Sequence, residues 1–176
     1  SVAYASEAGT PLVADPGFAL GRAAIEAGHT VLSAPGPSAV LAALTVSGLP
    51  SDRFLFAGFA PAAAGARRSF LEGLKDIQAT VIFYESPKRI NQMLEDLSQS
   101  WGHLRQAALC RELTKRFEEI TRGSIGDLVA AYEGRDVKGE IVLLVDRAER
   151  VVDAADWEAA LDRALGSMSV KDAAAM

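Results

Sequence analysis

Short apolar runs alternate along the chain with stretches whose apolar positions recur at helical spacing. Strand-like segments read at VAYA (2–5), TVLS (30–33), RFLFAGF (53–59), ATVIFYE (79–85), AALCREL (107–113), FEEIT (117–121) and EIVLLV (140–145). Helices are expected over 16–27, 38–46, 64–75, 86–98, 124–133 and 154–165. Asp15 before Pro16, and Ser86 before Pro87, each read as a cap followed by a first-turn proline. Gly28 reads as the left-handed residue that closes the first helix. The stretch RELTKRFEEI leaves no room for a crossover helix, so its two strands form a hairpin and the second half of the sheet is mixed. The pattern as a whole is α/β. Breaker residues at 48–51 and a charged link at 147–153 divide it into parts 1–50, 51–147 and 148–176.

Composition changes this picture little. At 176 residues, 49% of them hydrophobic and 23% charged, the chain is of ordinary globular type. Its longest apolar stretches, AVLAAL and IVLLV, fall far short of the roughly 18 residues a membrane-spanning helix needs, so no membrane is expected. The net charge of −5 argues against nucleic-acid binding through the overall field, and any such contact must be a local basic patch. Three doublets offer one: Arg67-Arg68, Lys88-Arg89 and Lys115-Arg116. A single cysteine, Cys110, lies in an apolar run and reads as a packed thiol. His29 and His103 have no ligand pattern around them, and no metal is expected. The chain opens directly on SVAYAS and closes on SMSVKDAAAM, where a cap at Ser169 starts a helix that barely begins. Both ends read as cuts through a larger protein.

Candidate chemistry concentrates in two turns. SEAGTPLVADPG places Gly9 and Pro11 between a strand and a helix, the position where open α/β sheets bind ligands. PGPSA repeats the arrangement after TVLS, with a helix starting at Ser38 and the small Ala39 behind it. Neither turn is a phosphate loop of GxxxxGK[ST] type and neither gives GxGxxG, which disfavours a nucleotide triphosphatase.

The strings SEAGTPLVADPG, PGPSAVLAAL, FLFAGFAP, FYESPKR, RELTKRFEE and KGEIVLLV occur in this order from Ser6 to Val145. In order and spacing they resemble the ribosomal RNA small subunit methyltransferase I family, a branch of the tetrapyrrole methylase superfamily. The tail SMSVKDAAA is similar to the opening of that family's helical C-terminal appendage. The resemblance implies a cytoplasmic, dimeric, two-domain α/β enzyme. Such an enzyme holds S-adenosyl-L-methionine between its domains and methylates the ribose 2′-hydroxyl of a cytidine in small-subunit ribosomal RNA. On this reading, 1–50 is the last part of an RNA-facing first domain, 51–147 the second domain, and 148–176 a linker and the start of the appendage. Carried over position by position, Gly9, Thr10 and Val13 form the cofactor loop, with Ser38 and Ala39 as its second contact. Tyr84, Gly139, Glu140 and Ile141 line the same cleft from the second domain, together with Arg111. Two places depart from the family pattern: Lys88 and Phe117 stand where relatives carry histidine, so no imidazole is available there.

Methyl transfer gains most from alignment, which can supply about 7–11 kcal/mol of the barrier. A ribose hydroxyl also needs a proton acceptor within reach. Glu7 is the candidate base and Arg111 a candidate catalytic cation, although each has a plain alternative, a solvated loop carboxylate for Glu7 and a cleft-shaping ion pair for Arg111. Two further readings stand beside the leading one. The chain is instead a methyltransferase of tetrapyrroles or other small molecules, or an inert dimerisation module.

Overall fold

A computed structural model describes residues 1–6, 9–148 and 163. In chain order the elements are α1 (Phe18–Glu26), α2 (Ala39–Ser47), β1 (Phe54–Phe59), α3 (Ala64–Glu72), β2 (Thr80–Glu85), α4 (Ile90–Trp101), β3 (Gln106–Arg111), β4 (Glu119–Ser124), α5 (Ile125–Tyr132) and β5 (Ile141–Val145). The strands form one mixed sheet in the order β1-β2-β5-β3-β4. β1 and β2 run parallel through the crossover α3, and every other neighbour is antiparallel. The hairpin expected from RELTKRFEEI is the β3–β4 pair.

Alternation along the central strands sends side chains to two faces. Val81, Phe83, Leu109, Leu143 and Val145 point to one face and pack with Leu71, Ile90, Leu94, Leu97, Leu128 and Tyr132 of α3, α4 and α5. Ile82, Ala108, Cys110, Val142 and Leu144 point to the other and pack under Val40, Ala43 and Leu44 of α2. α2 is fastened to that face by Arg122 of β4, whose Nε donates to the Val46 carbonyl at 3.0 Å. Burial of Cys110 pushes its thiol up to about 11, in keeping with a packing role.

Several helix ends differ from the expected ones: α3 stops at Glu72, short of 75, and α4 runs on to Trp101, past 98. α1 begins at Phe18 behind Gly17, whose φ of 112° sets the left-handed entry, so Asp15 is not its cap. α4 begins at Ile90 because 86–89 closes as a turn, with the Arg89 amide donating to the Ser86 carbonyl at 3.0 Å. Gly28, at φ 77°, ends α1 as expected: its amide reaches Ile25, and that of His29 reaches Ala24. α5 carries a reciprocal cap, Asp127 N–H to Ser124 Oγ and Ser124 N–H to Asp127 Oδ2.

VAYA and TVLS were expected as strands and are not. An apolar alternation states which side chains favour burial, whereas a strand also needs a neighbouring backbone edge. Neither segment joins the sheet, and Val2 and Leu32 stay 97% and 86% exposed. Apart from residues 148 and 163, the part expected over 148–176, with its helix 154–165 and the cap at Ser169, lies outside the described residues.

Candidate functional site

The C-terminal ends of β1 and β2 and the start of β5 meet at one edge of the sheet, and the two Gly/Pro turns of residues 9–17 and 35–39 fold over it. Thr10 ties the turns together, its Oγ1 donating to the Pro37 carbonyl at 2.9 Å. Between turns and sheet lies a cavity of about 410 Å³, within the usual range for a small-molecule site. Its floor is aromatic. Tyr84, next to last in β2, is half-buried. Burial raises the Tyr84 pKa, so the ring serves as a neutral wall at ordinary pH.

A bulge brings a second ring. The pairing of β1 with β2 slips between Phe56 and Gly58, where Gly58 has φ 69°, so Phe59 stands opposite Tyr84 instead of one residue out of phase. Phe59 and Tyr84 then meet edge to face at 5.7 Å, with Phe59 left 56% exposed on the cavity side.

The far wall is the backbone of Gly139 and Glu140, held by Glu112 from the end of β3. The Glu112 amide donates to the Glu140 carbonyl at 2.9 Å, and its Oε1 accepts both the Glu140 amide and Lys115 Nζ at 2.9 Å. Lys115 reaches on to Glu140 Oε2 at 2.8 Å. Lys115 and the Glu140 amide hold the Glu112 carboxyl below its ordinary value. Gly139 is required twice over: its φ is 93°, and a Cβ there would lie 2.5 Å from the Glu112 side chain.

Among the described residues the lining contains no lysine or arginine, while Asp15, Glu85 and Glu140 bring carboxylates. Glu85 is already occupied by Arg89, whose Nε and Nη2 both reach it, and by the Ser86 amide. Asp15 is different: its Oδ2 is buried without a partner among the described residues, an acceptor left for a donor on a bound molecule. Such a cavity is poorly suited to phosphates. The open acceptor, the aromatic wall and the glycine backbone instead fit a cationic sulfonium nucleoside such as S-adenosyl-L-methionine.

Gly9, Thr10, Val13, Ser38, Ala39, Tyr84, Gly139, Glu140 and Ile141, scattered over the sequence, all line this one cavity. Arg111 is not among the lining residues. Its Nε pairs with Glu119 at 2.9 Å and its Nη1 donates to the Lys138 carbonyl at 3.2 Å, so it braces the base of the hairpin. Glu7 lies outside the described residues. Sequence reasoning missed Asp15, read as a helix cap, and Phe59, whose orientation depends on a bulge signalled only by a glycine inside a strand. Among the described residues no cluster of side chains is arranged to hold a metal ion.

The doublets proposed for phosphate contact each have one cation held in an ion pair. Arg67 is buried against Asp96 at 2.7 Å, half-buried Arg89 pairs with Glu85, and Lys115, itself exposed, pairs with Glu112 and Glu140. Of the six, Arg68, Lys88, Lys115 and Arg116 are exposed, and Lys115 is already paired with carboxylates, so the basic patch is thinner than expected.

A mixed α/β sheet whose strand ends and paired turns enclose a cofactor-sized cavity defines a class, and comparison agrees. Residues 1–129 match the family described as Tetrapyrrole (Corrin/Porphyrin) Methylases, and the chain belongs to it. Within that family it is similar to "Ribosomal RNA small subunit methyltransferase I" from several bacteria. It is 51% identical to that of Mesorhizobium japonicum over 97% of this chain and 58% of the relative. For Mycobacterium tuberculosis the identity is 47% over 82% and 50%, and for Pseudomonas aeruginosa 42% over 99% and 64%. The chain thus spans about half to two thirds of the length of these relatives. Among solved structures it shares the fold of the methyltransferase CobJ, with a TM-score of 0.59 at 24% identity, covering 80% of this chain and 62% of that one. It also shares the fold of uroporphyrin-III-C-methyltransferase from Thermus thermophilus, with a TM-score of 0.56 at 21% identity, covering 80% and 61%.

Proposed function

We propose that this chain is the cofactor-bearing part of an S-adenosyl-L-methionine-dependent methyltransferase that modifies a cytidine 2′-hydroxyl in small-subunit ribosomal RNA. The observation that carries this is the one cavity shared by Gly9 and Thr10, Ser38 and Ala39, Tyr84, and Gly139 to Ile141, in a chain about half identical to a relative named "Ribosomal RNA small subunit methyltransferase I". When bound, the cofactor supplies a methyl group activated on a sulfonium.

The chain's own residues bind and orient. Gly9 and Gly139 let backbone close on the ligand, Phe59 and Tyr84 shield it from water, and Asp15 accepts a hydrogen bond from it. Glu7 remains the candidate for taking the ribose proton. In this reading residues 1–50 end a first domain, 51–147 form the second, the enzyme works as a cytoplasmic dimer, and the 176 residues alone hold the cofactor weakly. Among the described residues no helix is long and apolar enough to cross a membrane.

The test is transfer of a radiolabelled methyl group, catalysed by a protein of the relatives' full length, to unmodified small ribosomal subunits. Label in a cytidine ribose is the expected outcome. Label only in a tetrapyrrole overturns the RNA assignment, and no transfer to either acceptor overturns the activity.

A further inference from the structure

The tip of the β3–β4 hairpin, residues 112–118, stands at the rim of the cavity, because Arg111 pairs with Ile141 in the sheet and Glu112 is bonded to the Glu140 backbone. A short surface loop would ordinarily be loose, but this one is fixed from both ends. Glu112 and Thr114 adopt left-handed φ values of 51° and 63°, uncommon for residues with a Cβ. Each is secured: the Lys115 amide donates to the Glu112 carbonyl at 3.0 Å, and Glu118 accepts the Thr114 amide at 2.6 Å. Backbone held against its preference in this way clusters at functional sites.

The braced loop displays Phe117, 63% exposed, with the Arg116 guanidinium 5.4 Å from its ring centre. Among the described residues Arg116 pairs with no carboxylate, whereas Glu112, Glu118 and Lys115 are all taken up in holding the loop. An exposed aromatic face beside an unpaired guanidinium has the chemistry of a single-stranded RNA platform: the ring stacks on an unpaired base and the cation meets its phosphate.

We infer that Phe117 and Arg116 form a stacking platform that seats an unpaired nucleotide of the RNA substrate at the mouth of the cofactor cavity. The inference rests on the proposed RNA methyltransferase activity. It makes Phe117 a substrate-binding residue that does not touch the cofactor.

The test uses the full-length protein, unmodified small subunits as acceptor, and calorimetry for S-adenosyl-L-methionine. Phe117→Ala is expected to raise the KM for subunits about tenfold. Cofactor affinity should be unchanged, Phe117→Trp should restore the wild-type KM, and Phe117→Leu should not. Arg116→Ala should weaken subunit binding and flatten its salt dependence. A Phe117→Leu variant equal to wild type, an equal loss of cofactor affinity in Phe117→Ala, or a change of oligomeric mass in that variant overturns the platform. A parent enzyme that binds cofactor yet never methylates subunits overturns the proposed function, and the platform falls with it.

Discussion

Gly139 and Glu112 carry the sharpest expectation at the scale of single residues. Alanine at φ 93° costs roughly 1–2 kcal/mol from backbone sterics alone; the free wall relaxes to relieve that strain, and cofactor binding, which must restore the wall, weakens about tenfold. It would also push the Glu112 carboxylate off the Glu140 amide and Lys115. Gly139→Ala should therefore be less harmful in a Glu112→Ala background than in the wild type, a sign of coupling that calorimetry on the four proteins of the cycle measures. Equal penalties in both backgrounds would contradict the clamp. The same pair sets a pH dependence. Lys115 holds Glu112 below its ordinary value of 4.5, so the clamp is complete above 4.5 and is lost as pH falls through the lowered value. An NMR titration of the Glu112 carboxyl group should show this depression, and Lys115→Met should remove most of it.

At the scale of elements, α3 and α4 are joined by the buried pair of Arg67 and Asp96, with Arg67 Nη1 also reaching the Ala62 carbonyl at 3.1 Å. Removing one partner leaves the other charge buried, so Asp96→Ala should cost about 3–5 kcal/mol in urea unfolding, and an apolar replacement of both residues should recover most of it. A double variant as unstable as the single one would contradict this reading. Phe59 depends on the bulge in β1, and Gly58→Ala, strained at φ 69°, should disturb the cavity without unfolding the sheet. The elements from β1 to β5 were legible in the sequence because each packs apolar side chains against one of the two core clusters, wholly buried in the central strands and partly buried in β1 and β4. VAYA and TVLS misled because their alternation is that of strands, yet among the described residues no edge meets them. Asp15 was hidden for a related reason: a carboxylate before a proline has the form of a helix cap, and only the fold shows its oxygen at the cavity, unpartnered among the described residues.

Across the whole molecule, the net charge of −5 and the ion-paired halves of the three doublets leave the proposed RNA recognition to a few unpaired cations. The cavity is complete on the β1–β2–β5 side. On the other side it is bounded by turns whose flanking strand-like segments remain exposed, as do Phe18, Leu20 and Ile25 of α1. A half-supported wall of this kind orders less well and should bind more weakly than a fully packed one. The most direct measurement is a calorimetric titration of S-adenosyl-L-methionine into the 176-residue chain, into a protein of the relatives' full length, and into its Gly139→Ala variant. Saturable one-site binding in the full-length protein, weaker in the shorter chain and at least about tenfold weaker in the variant, is the expected result. Absence of binding in the full-length protein, or binding indifferent to Gly139→Ala, would contradict the assignment of this cavity to the cofactor.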